Sequence, residues 1–98
     1  RRRYRRIAVF HPAKVAIDQQ VYESQTQNLS MAGAKLATQI PAEAGTAVQL
    51  ELDEIGLVDG VITRKDETGT GLELFPKEEI KRRLSAFLDL DTLSLAYG

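Results

Sequence analysis

The chain has 98 residues, with 13 lysines and arginines against 14 aspartates and glutamates, so its net charge at neutral pH is −1. A chain of this length forms one domain and buries only about two thirds of the surface that its unfolded form exposes, which leaves little material for a deep enclosed active site. The absence of cysteine excludes disulfides, thiolate metal sites and cysteine nucleophiles, and fits a reducing compartment. The sequence begins with Arg1, shows no signal-peptide pattern and has no apolar stretch near the ~20 residues of a membrane span. We therefore expect a single cytoplasmic domain over residues 1–98, excised from a longer chain and not inserted in a membrane.

The charge is unevenly distributed along the chain. Residues 1–20 carry a net charge of +5, and residues 21–98 carry a net charge of −6. The positive excess comes from five arginines near the start, Arg1, Arg2, Arg3, Arg5 and Arg6. Arginine favours bidentate binding of phosphate and of guanine edges, and it stacks on aromatic rings. A local basic cluster on an acidic body argues against a surface for long nucleic acid, although the run alone is also typical of a solvated arm.

The first predicted elements are strands. Apolar and alternating patterns predict strands over residues 7–10 and 14–24, with a bend at Pro12 between them. The polar residues 25–30 predict a loop, because asparagine, serine and glycine favour turns. This loop leads into a predicted strand from Ala34 towards Thr38.

The second half of the chain predicts a hairpin and a helix. Residues 48–52 alternate between apolar and polar, and residues 57–64 and 72–75 predict two strands joined by a charged, glycine-containing turn. After Pro76, apolar residues recur at helical spacing, which predicts an amphipathic helix over residues 77–88. Its apolar positions are Ile80, Leu84, Phe87 and Leu88. Residues 89–98 have no strong period, so we expect a tail there.

These elements predict a mainly β domain. Five or six short strands followed by one helix are typical of a small antiparallel barrel or sandwich, with the helix covering an edge or an open end.

The sequence gives little support for catalytic chemistry. His11 is the only histidine, which excludes a histidine triad or a multi-histidine metal site within this chain. The glycines of residues 69–71 lack a third glycine and a following helix, so no dinucleotide site is predicted. We expect no enzyme, no metal and no cofactor.

Two short motifs give the strongest functional indication. Arg2 and Arg6 form an R-x-x-x-R pattern, and Asn28, Ser30 and Gly33 form a [DN]-x-S-x-x-G pattern about twenty residues later. The second pattern alone is typical of a turn that leads into a strand. In this order and spacing, the two together resemble the PilZ domain family, and the resemblance covers nearly the whole chain.

The resemblance implies a six-stranded antiparallel β-barrel with a C-terminal helix, which we expect over residues 7–75 and 77–88. It also implies binding of the bacterial second messenger cyclic di-GMP. Because no apolar residue precedes Ile7, we expect residues 1–6 to form a flexible arginine arm that wraps over the bound ligand. An arginine directly before the R-x-x-x-R motif, here Arg1, is associated in the family with two intercalated ligand molecules per domain. The arm would then reposition an upstream domain or an effector protein, with biofilm formation or motility as outputs.

The residue types suit this ligand. Guanidinium groups bind phosphates and the O6 and N7 atoms of guanine. The second motif offers an acceptor oxygen from Asn28, a hydroxyl to the ligand or the loop from Ser30, and close backbone approach at Gly33. The implied cyclic di-GMP site therefore comprises Arg1, Arg2, Arg3, Arg6, Asn28, Ser30 and Gly33.

Two alternatives and one extension stay open at this stage. Ile62 and Arg64 are further candidates for facing the second ligand. A PilZ-like adaptor that binds protein and no nucleotide is one alternative. A small barrel that binds single-stranded nucleic acid is the other, although its expected stacking face is missing because the aromatic residues are scattered along the sequence.

Overall fold

The fold is built from short antiparallel strands and one C-terminal helix. The structure is a computed structural model, and it describes the backbone of residues 7–97 and the side chains of residues 7–89. Within this range the elements are β1 (Ile7–Ala8), β2 (Pro12–Ile17), β3 (Gln20–Leu29), β4 (Gly33–Leu36), β5 (Ala47–Leu52), β6 (Gly56–Asp66), β7 (Gly69–Phe75) and α1 (Glu78–Tyr97). The predicted arginine arm, residues 1–6, lies outside the described residues.

Six of the strands close into a barrel. The sheet runs in the order β3-β2-β5-β6-β7-β4, and β4 pairs again with β3, so that the ends of the six-stranded sheet meet. Every pair is antiparallel. The predicted six-stranded antiparallel barrel with one C-terminal helix is therefore confirmed. The sandwich alternative is wrong, because the β3–β4 pairing joins the two ends of the sheet.

The short strand β1 extends the barrel beside the candidate motif. Ile7 pairs with Leu29 in β3, whereas β2 starts its pairing at Pro12 opposite Gln25. The two registers differ by one residue, so the chain bulges across residues 9–11 between β1 and β2. The bulge keeps β1 and β2 aligned with the same long strand.

Alternation along the strands fills the barrel with aliphatic side chains. In β5, Val48, Leu50 and Leu52 are buried, while the residues between them are exposed. Burial of each such side chain stabilises the fold by about 1.5–3 kcal/mol. Among the described residues, no buried side-chain nitrogen or oxygen lacks a hydrogen-bond partner.

The helix α1 covers one end of the barrel. Its apolar stripe packs on the core through Ile80, Leu84, Phe87 and Leu88. The Nη1 atom of Arg83 donates to the carbonyl oxygen of Ile55 at 3.2 Å, which ties the helix to the turn between β5 and β6. The ring of His11 packs edge-on against Phe87, with the ring centroids 4.8 Å apart. The covered end therefore includes the bulge of residues 9–11.

Among the described residues no helix is long and apolar enough to span a membrane.

Two predictions of strand boundaries are wrong. Residues 14–24 are not one strand, because a two-residue turn at Asp18 and Gln19 separates β2 from β3. Asp18 has a φ of 56°, a conformation that aspartate tolerates better than most residues, but Asp-Gln lacks the glycine that usually marks such turns. The predicted loop over residues 25–30 is strand as far as Leu29, because Thr26 and Leu29 point into the core between polar neighbours.

The predicted end of the helix is also wrong. The helix continues through Asp89 to Tyr97, where a tail was expected. Residues 77–97 contain neither proline nor glycine, the residues that most strongly oppose helix formation. The helix therefore continues through residues 89–97, although their apolar residues do not recur at clear helical spacing.

Candidate functional site

The candidate site lies where the chain enters the barrel. The predicted ligand residues Arg1, Arg2, Arg3 and Arg6 lie outside the described residues. Ile7 follows Arg6 directly, and it pairs with Leu29, which stands between Asn28 and Ser30 of the second motif. The described part of the chain therefore starts beside the second motif, although about twenty residues separate Ile7 from Asn28 in sequence.

Asn28 lies on the outer surface of the barrel. It pairs with Ala8 on one side and with Lys35 of β4 on the other. Its neighbour Leu29 and the neighbour of Lys35, Ala34, are both fully buried, so the side chains of Asn28 and Lys35 point outward. Asn28 is half-buried. It can therefore face a ligand on the surface from a fixed position in the sheet.

Ser30 and Gly33 shape the turn between β3 and β4. Ser30 is only 3% exposed. Its hydroxyl accepts hydrogen bonds from the backbone N–H groups of Ala32 at 3.2 Å and Gly33 at 3.1 Å, and it donates to the carbonyl oxygen of Gly33 at 3.3 Å. The N–H of Ser30 also donates to the carbonyl oxygen of Gly33, at 2.8 Å. In this structure the serine hydroxyl therefore contacts the loop, which was one of its two predicted partners.

Sequence reasoning missed Thr26, which fixes the bulge at the entry of the chain. This threonine is fully buried. Its hydroxyl donates to the carbonyl oxygen of Val9 and accepts from the N–H of His11 at 2.9 Å. The backbone N–H of Thr26 donates to the carbonyl oxygen of His11, also at 2.9 Å. A threonine in a polar stretch carries no signal for this role in the sequence, because its partners lie fifteen to seventeen residues away.

A row of outward positions continues from Asn28 across the barrel. Lys35 pairs with Gly71 in β7, and Gly71 pairs with Arg64 in β6. Arg64 is exposed and its pairing places it on this outer surface, and its contact with a second ligand stays a prediction. Ile62 does not, because it is 1% exposed and belongs to the core, and the register shifts between Ile62 and Arg64. Ile62 therefore cannot face a ligand on this surface.

Lys35 is held in place by the turn between β6 and β7. Its ammonium donates to Thr68 Oγ1 and lies 3.5 Å from Asp66 Oδ2. Hydrogen bonds from the Thr68 hydroxyl and backbone N–H, followed by the Lys35 charge, lower the pKa of Asp66 from 3.8 to about 2. Gln27 also donates to the carbonyl oxygen of Thr68, at 2.8 Å. Hydrogen bonds thus fix this turn to the two strands that carry Asn28 and Lys35.

A pocket elsewhere on the barrel does not suit a phosphate ligand. It has a volume of about 250 Å³ and lies on the outer side of β2, β3 and β5. Its lining includes three carboxylates, Glu23, Glu51 and Asp53, against one ammonium, Lys14. Negative charge would repel a phosphate. Within the part of the chain that the structure describes, no cluster of histidine, aspartate or glutamate could hold a metal ion.

Comparison with known proteins identifies relatives of this fold. The sequence matches the PilZ domain family over residues 1–90, and no curated protein matches it. The fold is similar to the PilZ domain of CeSA from a cellulose-synthesizing bacterium, with a TM-score of 0.71 and 20% identity over 85% of this chain and 97% of that chain. It is also similar to the Bacillus subtilis inhibitor of motility MotI/DgrA, with a TM-score of 0.77 and 16% identity over 96% of this chain and 52% of that chain.

A third similar structure is MrkH of K. pneumonia in complex with c-di-GMP, with a TM-score of 0.73 and 19% identity over 99% of this chain and 54% of that chain. The present chain spans about half the length of MotI/DgrA and of MrkH. The family match covers both sequence motifs and every strand of the barrel. From this match it follows that the chain belongs to the PilZ domain family, a family of non-catalytic receptor domains for cyclic di-GMP.

Proposed function

We propose that this chain binds cyclic di-GMP through its arginine motif and the loop that starts at Asn28. One observation carries the proposal. The residue after Arg6 pairs with Leu29, so the R-x-x-x-R segment joins the fold beside the asparagine and the turn of the second motif. A ligand with two phosphates and two guanines can use both motifs at once, because guanidinium groups bind phosphate oxygens and guanine edges.

Each motif residue has a role in this proposal. Arg2 and Arg6 bind phosphate and guanine from the arm, and Asn28 contacts a guanine edge from the outer surface of the barrel. Ser30 acts through the turn, since its hydroxyl is engaged with the N–H groups of Ala32 and Gly33. Gly33 lets the backbone approach the ligand closely.

We further propose that two intercalated ligand molecules bind to each domain. Arg1 supplies an additional guanidinium for the second molecule, and Arg3 contributes to the same site. The arm is ordered by the ligand, and this change repositions an upstream domain or an effector protein in the bacterial cytoplasm. Relatives that are named for motility inhibition or come from a cellulose-synthesizing bacterium support motility or biofilm formation as the output.

The test is isothermal titration calorimetry of the domain with cyclic di-GMP. We expect two ligands per chain for the natural sequence. Arg2→Ala removes charge-assisted hydrogen bonds, each of about 1.5–3 kcal/mol, and should weaken binding by about 100-fold. Asn28→Ala should weaken it by about 10-fold, because neutral hydrogen bonds contribute less. The matched control is Arg82→Ala on the exposed side of α1, which should bind like the natural sequence.

The same titration separates the stoichiometry from the receptor function. Arg1→Ala should reduce binding from two ligands to one without abolishing it. Absence of binding to the folded natural domain would overturn the proposal and favour an adaptor or a nucleic-acid binder. A salt series distinguishes these outcomes, since affinity for long nucleic acid falls steeply with salt whereas a ligand with few phosphates shows a shallower loss.

A further inference from the structure

Phe10 is an exposed aromatic residue at the entry of the chain into the barrel. Its exposed fraction of 71% is the highest among the exposed large hydrophobic residues that the structure describes. Exposure of a whole phenyl ring forgoes about 1.5–3 kcal/mol that its burial would contribute. The ring is available to a partner on the surface.

The position of Phe10 places its ring close to the second motif. Ala8 and Phe10 are exposed, while Ile7 is buried and Val9 packs on the core, so the residues of this segment alternate between the two sides of the sheet. Ala8 pairs directly with Asn28. Phe10 follows Ala8 by two residues, so the phenylalanine and the asparagine are diagonal neighbours on this surface, roughly 7–8 Å apart. This gap is close to the width of a flat purine ring lying beside the asparagine.

The backbone on both sides of Phe10 is held firmly. The N–H of Val9 donates to the carbonyl oxygen of Gln27 at 3.2 Å, and the carbonyl oxygen of Val9 accepts the hydroxyl of Thr26. The N–H of His11 donates to the hydroxyl of Thr26 at 2.9 Å, and Nε2 of His11 donates to the carbonyl oxygen of Asp53 at 2.5 Å. Phe10 is thus an exposed ring on a fixed backbone, which lowers the entropy cost of positioning it.

We propose that Phe10 is a purine-stacking residue of the nucleotide site, with its ring against a base whose edge faces Asn28. This inference rests on the proposed function and adds a residue that neither motif contains. Aromatic rings and bases attract through their π faces, and removing one such ring from a nucleic-acid-binding protein costs about 1–3 kcal/mol of binding free energy, or about 5-fold to 150-fold in affinity. The ring needs no hydrogen bond and leaves base recognition to Asn28 and the arginines.

The other exposed hydrophobic residues do not share this position. Val21 follows the turn between β2 and β3, Leu57 lies in β6 and Phe75 ends β7. None of them pairs with β1 or with the segment 28–33. Val21, with 61% exposure, is therefore the matched control for Phe10.

The test uses tryptophan as a reporter, because the natural chain has none. In Phe10→Trp, we expect saturating cyclic di-GMP to quench the tryptophan fluorescence while the affinity stays near that of the natural sequence. Val21→Trp should show no change in fluorescence. Calorimetry with Phe10→Ala should show a Kd raised by about 5-fold to 150-fold, and Phe10→Leu, which keeps apolar bulk without a π face, should also bind more weakly.

Two results separate this inference from the proposed function. If the natural domain binds cyclic di-GMP while Phe10→Ala and Phe10→Leu keep its Kd, and the fluorescence of Phe10→Trp does not respond, stacking by Phe10 is wrong and the receptor function stands. If the natural domain binds no ligand, both proposals fail together. Thermal unfolding of each variant verifies that the exposed position tolerates the substitution without loss of the fold.

Discussion

At the scale of single residues, two buried hydroxyls position the candidate site. Thr26 holds the bulge of residues 9–11, and Ser30 holds the turn that leads to Gly33. A buried hydroxyl without a hydrogen-bond partner would destabilise the folded protein by about 1–3 kcal/mol. These hydrogen bonds therefore stabilise the fold and also position the site. The outer residues, Asn28 and Phe10, then project from a backbone that is fixed before any ligand arrives.

The carboxyl group of Asp66 provides a residue-scale prediction about pH. Because its pKa falls from 3.8 in the unfolded chain to about 2 in the folded protein, the anion stabilises the fold above pH 3.8, and this contribution is lost as the pH falls from about 3.8 to 2. We expect an NMR titration of the Asp66 carboxyl to have its midpoint near 2. Thr68→Ala should raise this midpoint towards 3.8, because the hydroxyl is the largest cause of the shift.

Thr63→Ala is the control for this titration, since Thr63 is an exposed residue of β6 and the hydrogen bonds that hold the Asp66 carboxylate come from Thr68 and Lys35. A midpoint near 3.8 in the natural sequence would show that the turn between β6 and β7 does not hold the carboxylate as described. Lys35, which pairs with Asn28, would then also lack the ion pair with Asp66 that holds its side chain in place.

At the scale of elements, irregular strands bring the site residues together. The bulge between β1 and β2, and the register shift between Thr26 and Asn28 in β3, let one long strand pair with β1, β2 and β4. Bulges increase local twist, which helps a six-stranded sheet to close. Ile7 and Ala8 therefore pair beside the second motif through geometry that a regular hairpin would not provide.

Gly69 gives an element-scale prediction about the closure between β4 and β7. Its φ is 149°, and a Cβ atom there would overlap the carbonyl oxygen of Leu36. Gly69→Ala should therefore destabilise the fold by on the order of 3 kcal/mol, measured by urea unfolding. Gly71→Ala is the matched control in the same strand, because the nearest atom to its Cβ would be 3.4 Å away. Equal stability of the two variants would contradict this account.

At the scale of the whole molecule, the helix and the candidate site share one end of the barrel. The ring of His11, which follows Phe10, packs against Phe87 of α1, and Arg83 bonds to the turn at Ile55. The six barrel strands that the structure describes leave no free edge between them for strand addition. This arrangement connects the bulge of residues 9–11 with the C-terminal helix.

Leu84 gives the prediction at this scale. It is the fully buried centre of the contact between helix and barrel. Leu84→Ala should lower the free energy of unfolding, measured with urea, by about 2–5 kcal/mol, because it removes apolar contacts and leaves a cavity. Arg82→Ala, on the exposed side of the helix, should change it by less than about 0.5 kcal/mol in the same experiment. A Leu84→Ala variant as stable as Arg82→Ala would show that the helix does not cap the barrel.

The sequence by itself determined the periodic elements and the motifs. The alternation of residues 48–52 and the helical spacing of Ile80, Leu84 and Leu88 are local properties of the chain, and the structure has a strand and a helix at these places. The motif at Asn28 and the arginine run were visible for the same reason, since each lies within six residues. The family match then confirmed the resemblance that these motifs carried.

Only the tertiary structure decided how these pieces meet. The closure of β3 with β4, the pairing of Ile7 with Leu29, and the engagement of the Thr26 hydroxyl with Val9 and His11 join residues that are distant in sequence. The turn at Asp18 depends on a positive φ that its pairing strands impose. The local pattern of apolar residues indicates which side of a strand is buried. The choice of neighbouring strand and register depends on residues elsewhere in the chain, and for this physical reason the sequence alone did not predict these contacts.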